Sequence, residues 1–218
     1  MLHYIQALFA QMDLTSALDA ALRAVSVLLC LTIHETCHGL AALSLGDPTA
    51  KSMHRLSLNP LRHIDWLGLL AMFVVGFGWA KPVPVDPRYF KNPKQGMALT
   101  ALAGPVSNLA LALIFILISK VIYLYAPYNP VWDTVFQFLL TTAILSIGLG
   151  LFNLIPIPPL DGSKVLGALL PDRTYFQLMR YERYGMLVLL ALSFTNVGGG
   201  VISRSISGVY TAMMNLFY

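Results

Sequence analysis

Charged side chains are scarce in this sequence: they make up 11% of its 218 residues, whereas hydrophobic residues make up 57%. So little polar surface cannot cover an ordinary soluble domain. The formal net charge is +4, but neither a basic helix nor an aromatic nucleic-acid motif accompanies it. We therefore expect the lipid bilayer to be the solvent of this chain and expect no nucleic-acid partner.

Cysteine is also scarce, with two residues, Cys30 and Cys37. Both fall on one predicted helix, roughly 10 Å apart at 1.5 Å per residue, so they cannot form a disulfide with each other. The first fourteen residues lack the basic region of a signal peptide. We expect residues 1–218 to form a single membrane-embedded domain without a cleaved leader.

Three long hydrophobic stretches, residues 14–45, 97–126 and 132–154, are each able to cross a hydrocarbon core of about 30 Å as a helix. Residues 66–80 are apolar but few for a span, which favours a re-entrant element. The loose spacing of β-branched and apolar residues at 49–58 predicts a strand or hairpin. After residue 184 the sequence allows one or two further spans.

The predicted fold is therefore an all-α polytopic membrane protein. A three-span catalytic core, at about 14–170, would hold a re-entrant or β element between its first and second spans. One or two C-terminal helices would follow at about 171–218.

Lysine and arginine concentrate in two loops, residues 47–96 and 156–183, whereas residues 127–131 contain none. Positive residues of short loops are retained on the cytoplasmic side of a membrane. We therefore predict a multi-pass protein of the cell's inner (cytoplasmic) membrane with both basic loops in the cytoplasm. Because basic loops flank residues 66–80 on both sides, this topology agrees with the re-entrant interpretation.

The first predicted span contains His34-Glu35-Thr36-Cys37-His38. Histidines at this spacing lie about 40° apart around a helix axis, so both imidazoles can bind one zinc ion. Glu35 is placed to take a proton from a water molecule at that metal. A buried hydrogen-bond cluster between helices is the alternative, although an unpaired carboxylate inside a span costs at least a few kcal/mol.

A catalytic zinc usually has three protein ligands, so a third must come from elsewhere. The candidates are His54, His63, Asp161, Cys30 and Cys37. Asp161 has the most informative surroundings, because the prolines before it keep the chain irregular at a depth where irregular chain must line protein or a wet cavity. A cytoplasmic turn or a helix N-cap is the alternative role for this residue.

Together these motifs resemble the site-2 protease family of intramembrane zinc metalloproteases. The downstream half of the resemblance consists of Asn153, Pro156, Asp161 and Gly162. Four further segments match the compact bacterial branch of the family, which lacks a PDZ domain. They are Gly46-Asp47-Pro48-Thr49-Ala50, Leu58-Asn59-Pro60-Leu61, Gly78-Trp79-Ala80-Lys81-Pro82-Val83-Pro84-Val85 and Gly104-Pro105-Val106-Ser107-Asn108. The resemblance covers nearly all of residues 33–170. It implies an edge at 49–58 that clamps extended substrate.

The resemblance implies one zinc ion per chain, with His34, His38 and Asp161 as ligands and Glu35 as catalytic base. It places Asn153 near the metal, where an amide could stabilise the oxyanion; a helix-helix hydrogen bond is the alternative. Other residues have no assigned role. Asn108 is left outside the catalytic set as a packing residue, His54 stands where the family has glycine, His63 fits the family pattern at the cytoplasmic entrance, and helical packing is expected for Cys30 and Cys37.

The predicted function is hydrolysis of a peptide bond in or near a transmembrane segment of a membrane protein. Two other functions are open at this stage. A metal transporter also carries intramembrane His and Asp residues, and an inactive adaptor could bind membrane helices without cutting them. The compact ligand set beside Glu35 favours hydrolysis over transport, and the intact motifs argue against the adaptor.

Overall fold

A computed structural model describes residues 17–68, 79–180, 184–185, 189 and 199–218 of the chain. Within these residues the α-helices are α1 (Ala17–Ser44), α2 (Thr49–Ser52), α3 (Pro93–Tyr125), α4 (Pro130–Asn153), α5 (Asp161–Leu169), α6 (Asp172–Arg180) and α7 (Gly199–Met214). Two 3-10 turns, Pro60–Arg62 and Pro87–Tyr89, lie between α2 and α3.

Three of these helices, α1, α3 and α4, are long and apolar enough to cross a membrane, which confirms the three predicted spans. They pack on one another, with α3 contacting both α1 and α4. Helix α3 begins at Pro93, earlier than predicted, because Asn92 caps it by accepting a hydrogen bond from the Gln95 amide. Asparagine before proline is a strong helix start.

Small polar side chains join the three spans in their interior. The Ser26 and Thr142 hydroxyls lie 2.7 Å apart between α1 and α4, and Ser146 of α4 donates to the backbone oxygen of Asn108 in α3. Short side chains of this kind let membrane helices approach closely and form hydrogen bonds between them. A separate apolar cluster joins α3, α4 and α7: Ala112, Ile116, Ala143, Ile144, Ile147 and Tyr210.

The predicted strand or hairpin at 49–58 is wrong. Thr49–Ser52 is a short helix instead, and the Asp47 carboxylate orders the turn before it by accepting hydrogen bonds from the amide and hydroxyl of Thr49. Among the described residues, β pairing is limited to one antiparallel bridge between Ile64 and Ala80. That bridge pairs the last residue of the predicted re-entrant stretch, 66–80, with a residue just before its start; residues 69–78 of the stretch lie outside the described part of the chain.

Candidate metal centre

Helix α1 carries both histidines on one face. His34 and His38 are buried, at 3% and 8% exposure, and their rings are 4.5 Å apart and nearly perpendicular. One helical turn separates them, which is why a continuous helix presents both imidazoles to a single point. The histidine half of the predicted site therefore has the expected arrangement.

Asp161, the first residue of α5, reaches the same point from a distant part of the chain. Its Oδ2 atom lies 3.1 Å from Nε2 of His34 and 3.1 Å from Nε2 of His38. Donor atoms around a tetrahedral zinc, each about 2.0 to 2.1 Å from the ion, are separated by about 3.3 Å. The spacing of these three atoms is close to what one zinc ion requires.

The hydrogen bonds of the two imidazoles leave their Nε2 atoms free to bind metal. Nδ1 of His34 donates to Oδ1 of Asn108 at 2.5 Å, and Nδ1 of His38 donates to the Thr100 backbone oxygen at 2.7 Å. In the neutral imidazole the other nitrogen then carries a lone pair. Two such lone pairs and a carboxylate oxygen converge, and either protons on the imidazoles or a metal ion between the three atoms removes their repulsion. The donor set therefore fits a zinc ion.

Asp161 is buried, at 7% exposure. Burial alone would raise the pKa of its carboxyl group, but without a metal the hydrogen bonds that His34 and His38 donate when protonated at Nε2 outweigh burial and hold that pKa below its usual value. The Lys164 ammonium, 3.8 Å from Oδ1, acts in the same direction. Asp161 is thus an anionic ligand candidate at neutral pH.

Gly104 of α3 lies directly against the two imidazoles. A Cβ atom added there would be 2.5 Å from Cε1 and Nε2 of His38 and 2.7 Å from Cε1 of His34. Such distances are far inside van der Waals contact, so only glycine lets α3 approach the site this closely. The close packing of α3 on α1 thus occurs at the candidate metal centre itself.

The two predicted catalytic residues differ in their surroundings. Oε2 of Glu35 accepts a hydrogen bond of 2.9 Å from the Val83 amide, which fixes one carboxylate oxygen. Asn153 ends α4, and its side-chain amide donates to the Leu149 backbone oxygen one turn earlier. No hydrogen bond in the described part of the chain joins Asn153 to the histidines or to Asp161, so its oxyanion role stays a prediction.

The other candidates lie outside the cluster. His54 is a loop residue with φ of +53°, and His63 is buried with its Nε2 donating to the Ser57 backbone oxygen at 2.8 Å. Cys30 is buried and free, with its sulfur 3.8 Å from the Thr142 backbone oxygen, and Cys37 is a half-buried free thiol.

Sequence reasoning did not assign Asn108 to the site, although it contacts a ligand candidate. The side chain is fully buried, and its amide nitrogen donates to Ser146 Oγ and to the Cys30 backbone oxygen. The signal that could have found it is an asparagine within an apolar span, because polar residues there are costly and mark functional sites.

Comparisons with known proteins show that the chain is similar to zinc metalloproteases. A family model described as Peptidase family M50 matches residues 118–195. YwhC of Bacillus subtilis (strain 168), provisionally named a zinc metalloprotease, is 36% identical over 198 residues, which cover 88% of this chain and 89% of YwhC. Rip2 of Mycolicibacterium smegmatis, also provisionally named a zinc metalloprotease, is 28% identical over 173 residues, which cover 77% and 64% of the two chains.

A third relative, MJ0392 of Methanocaldococcus jannaschii, is named a zinc metalloprotease and is 31% identical over 83 residues, or 38% of this chain and 22% of its own. No solved structure matches the chain.

Proposed function

The chain belongs to peptidase family M50 and is a zinc metalloprotease of the site-2 type, and we propose that it hydrolyses a peptide bond within or near a transmembrane segment of its protein substrates. The observation that carries this proposal is the convergence of His34, His38 and Asp161 inside a bundle of three apolar helices. Because the proposed catalytic site is surrounded by membrane-spanning helices, its substrates are protein chains that enter the same bilayer.

In the proposed site, His34, His38 and Asp161 hold the metal. Zinc, when bound, supplies the Lewis acid that polarises water and the substrate carbonyl. Glu35 accepts a proton from the attacking water while the water oxygen bonds to the carbonyl carbon. When the carbon-nitrogen bond breaks, Glu35 returns the proton to the leaving nitrogen.

Oε1 is the atom we assign to this proton transfer, because Oε2 already accepts the Val83 amide. An amide bond to one oxygen also fixes the direction of the carboxylate, so the other oxygen is held in one orientation. Asn153 is proposed as an oxyanion donor after a change of side-chain rotamer, since its amide now bonds to Leu149.

The site lies nearer one end of the spans than the other. His34 is ten residues before the end of α1, and Gly104 is eleven residues after the start of α3, which are rises of about 15 Å and about 16 Å. Both of those helix ends lead into the basic loop 47–96. If that loop is cytoplasmic, as its lysines and arginines indicate, the site lies in the cytoplasmic half of an inner-membrane protein and cuts there.

The predicted clamping of substrate needs a different element from the one first expected, because residues 49–58 form no strand. The re-entrant element predicted at 66–80 stays a proposal, because its residues 69–78 lie outside the described part of the chain.

The test combines zinc analysis of purified protein with mapping of the cleavage site in a single-span model substrate. We expect about one zinc per chain and a single main cut on the cytoplasmic side of the substrate's apolar segment. Intact substrate after incubation with zinc-loaded protein in lipid would contradict the proposed function.

A further inference from the structure

An extended segment crosses α1 beside the catalytic base. We call residues 81–86 the strap. The Val83 amide donates to Glu35 Oε2 at 2.9 Å, and the Val83 side chain is 8% exposed. A Cβ atom placed on Gly39, the residue after His38, would lie 3.1 Å from Val83 Cγ1. Val83 therefore contacts α1 through both its backbone and its side chain.

The sequence of the strap makes it stiff. Pro82 and Pro84 flank Val83, so their φ angles are fixed and neither has an amide hydrogen. Val83 is consequently the one residue of this triplet that can donate a backbone hydrogen bond. The direction of the Val83 N–H group is set by the contacts that hold the two ends of the strap.

The far end of the strap is held by a buried carboxylate. The Asp86 amide donates to Oδ2 of Asp47 at 2.8 Å. Asp47 is fully buried, and its Oδ1 also accepts the Thr49 amide. This anchor accounts for the aspartate of the Gly46-Asp47-Pro48 turn.

The near end of the strap is held at Lys81 by two hydrogen bonds. The Lys81 amide donates to the His63 backbone oxygen at 2.9 Å, and Nη2 of Arg55 donates to the Lys81 backbone oxygen at 2.9 Å. Arg55 lies in the loop of residues 53–59, between α2 and the 3-10 turn Pro60–Arg62, and its side chain reaches from this loop to the strap. Its own backbone amide donates to the Ala50 oxygen at 2.8 Å, which fixes the base of the side chain.

The loop that carries Arg55 is itself tied to the catalytic helix. The Ser57 backbone oxygen accepts hydrogen bonds from Thr36 Oγ1 at 3.1 Å and from His63 Nε2 at 2.8 Å. Thr36 is the residue after Glu35. The catalytic helix, the loop and the strap thus form a closed ring of contacts that returns to Glu35 through Val83.

The geometry points to Arg55 as a positioning residue for proteolysis. By holding the Lys81 carbonyl, it fixes the strap so that the Val83 amide orients the Glu35 carboxylate. Arg55 acts through the main chain and contacts none of the groups assigned to the reaction. This inference rests on the proposed function of Glu35 and adds a residue that supports it.

The first experiment compares Arg55→Met with Lys51→Met, which removes a positive charge from an exposed side chain of the adjacent helix α2. With a model substrate in proteoliposomes, we expect Arg55→Met to lower kcat by about 10-fold or more, as removal of supporting contacts around metal sites does. KM, zinc content and unfolding temperature should match the parent, and Lys51→Met should keep the parental kcat.

A double-mutant cycle tests whether the effect passes through the strap. Val83→Pro removes the amide hydrogen that Glu35 accepts, whereas Val83→Ala keeps it, so we expect the alanine variant to retain more kcat. In the Val83→Pro background, Arg55→Met should lower kcat by less than about 2-fold further, because residues that act in one chain of contacts are not additive.

Three results would overturn the inference: a parental kcat for Arg55→Met, a lowered unfolding temperature or zinc content in that variant, or losses that multiply in the double variant. A parent protein that does not cleave would instead remove the proposed function. The two failures are therefore distinguishable in the same assay.

Discussion

Nδ1 of His34 in α1 donates a hydrogen bond to Oδ1 of Asn108 in α3. The bond fixes both the ring orientation and the tautomer of the histidine, since the proton on Nδ1 leaves Nε2 to face Asp161. Asn108 is in turn held by Ser146 of α4. All three spans therefore contribute to the direction of one proposed metal ligand.

Replacing Asn108 by leucine should weaken zinc binding by about 10- to 100-fold, the usual cost of losing a partner behind a ligating histidine. Asn108→Asp keeps an acceptor for His34 and should lose less. Zinc affinity measured by competition with a chelator checks the order of the two variants. Equal affinity in parent and Asn108→Leu would show that His34 needs no such support.

Substituting Gly104 by alanine should abolish zinc binding, because the added methyl group occupies the space of the His38 ring. Helix propensity alone would favour alanine by about 1 kcal/mol, so a loss here reports the collision and not a weak helix. Gly148→Ala is the matched control in α4, where the new Cβ meets its nearest neighbour, Ile206, at 3.4 Å. Zinc content of both purified variants is the measurement; a metal-replete Gly104→Ala protein would contradict the packing described.

The sequence predicts those parts of the fold that depend on patterns of neighbouring residues. Long apolar runs mark the spans, and the spacing of His34 and His38 places both on one helix face whatever the tertiary structure. Helix ends were less accurate, since a single cap such as Asn92 moves the start of α3 by one turn. The strand predicted at 49–58 is wrong because β preference is weak and depends on context, and here the hydrogen bonds from Thr49 to Asp47 favour a turn that leads into a helix.

The role of Asn108 could not be predicted from local sequence patterns. Whether its amide faces His34 depends on how α3 is rotated and how deep it lies against α1, and the sequence of α3 alone contains neither quantity. Gly104 is the partial exception, because its missing side chain already indicates a close approach. The sequence could not say that the neighbour is a pair of imidazoles.

His54→Gly should leave stability unchanged or raise the free energy of unfolding by up to about 1 kcal/mol. His54 has φ of +53°, a conformation that costs non-glycine residues about 1–2 kcal/mol, and the greater freedom of glycine in the unfolded chain offsets part of the gain. The backbone contacts, from its amide to Lys51 and from Arg62 to its oxygen, persist in glycine. Thermal unfolding checks this, with His54→Val expected to be less stable than the parent; a clear drop in His54→Gly would assign the imidazole a contact of its own.

Asp161→Ala should lose zinc while the spans stay folded. The carboxylate supplies one of three converging donors, and two imidazoles alone bind zinc less tightly than the three-ligand set of a catalytic site. Metal content after dialysis and helical circular dichroism are the two measurements. Zinc content equal to that of the parent would remove Asp161 from the ligand set.

Glu35→Gln separates metal binding from catalysis. The amide keeps the size of the carboxylate and an oxygen that can accept the Val83 amide, so the strap and the metal ligands should be undisturbed. It cannot take a proton from water, so turnover should fall by at least about 100-fold, the lower end of what general-base catalysis contributes. Zinc content equal to the parent, together with the lost cleavage, is the expected pair of results. Asp161→Ala measured alongside should lose both, and a Glu35→Gln variant that still cleaves at the parental rate would show that another group accepts the proton.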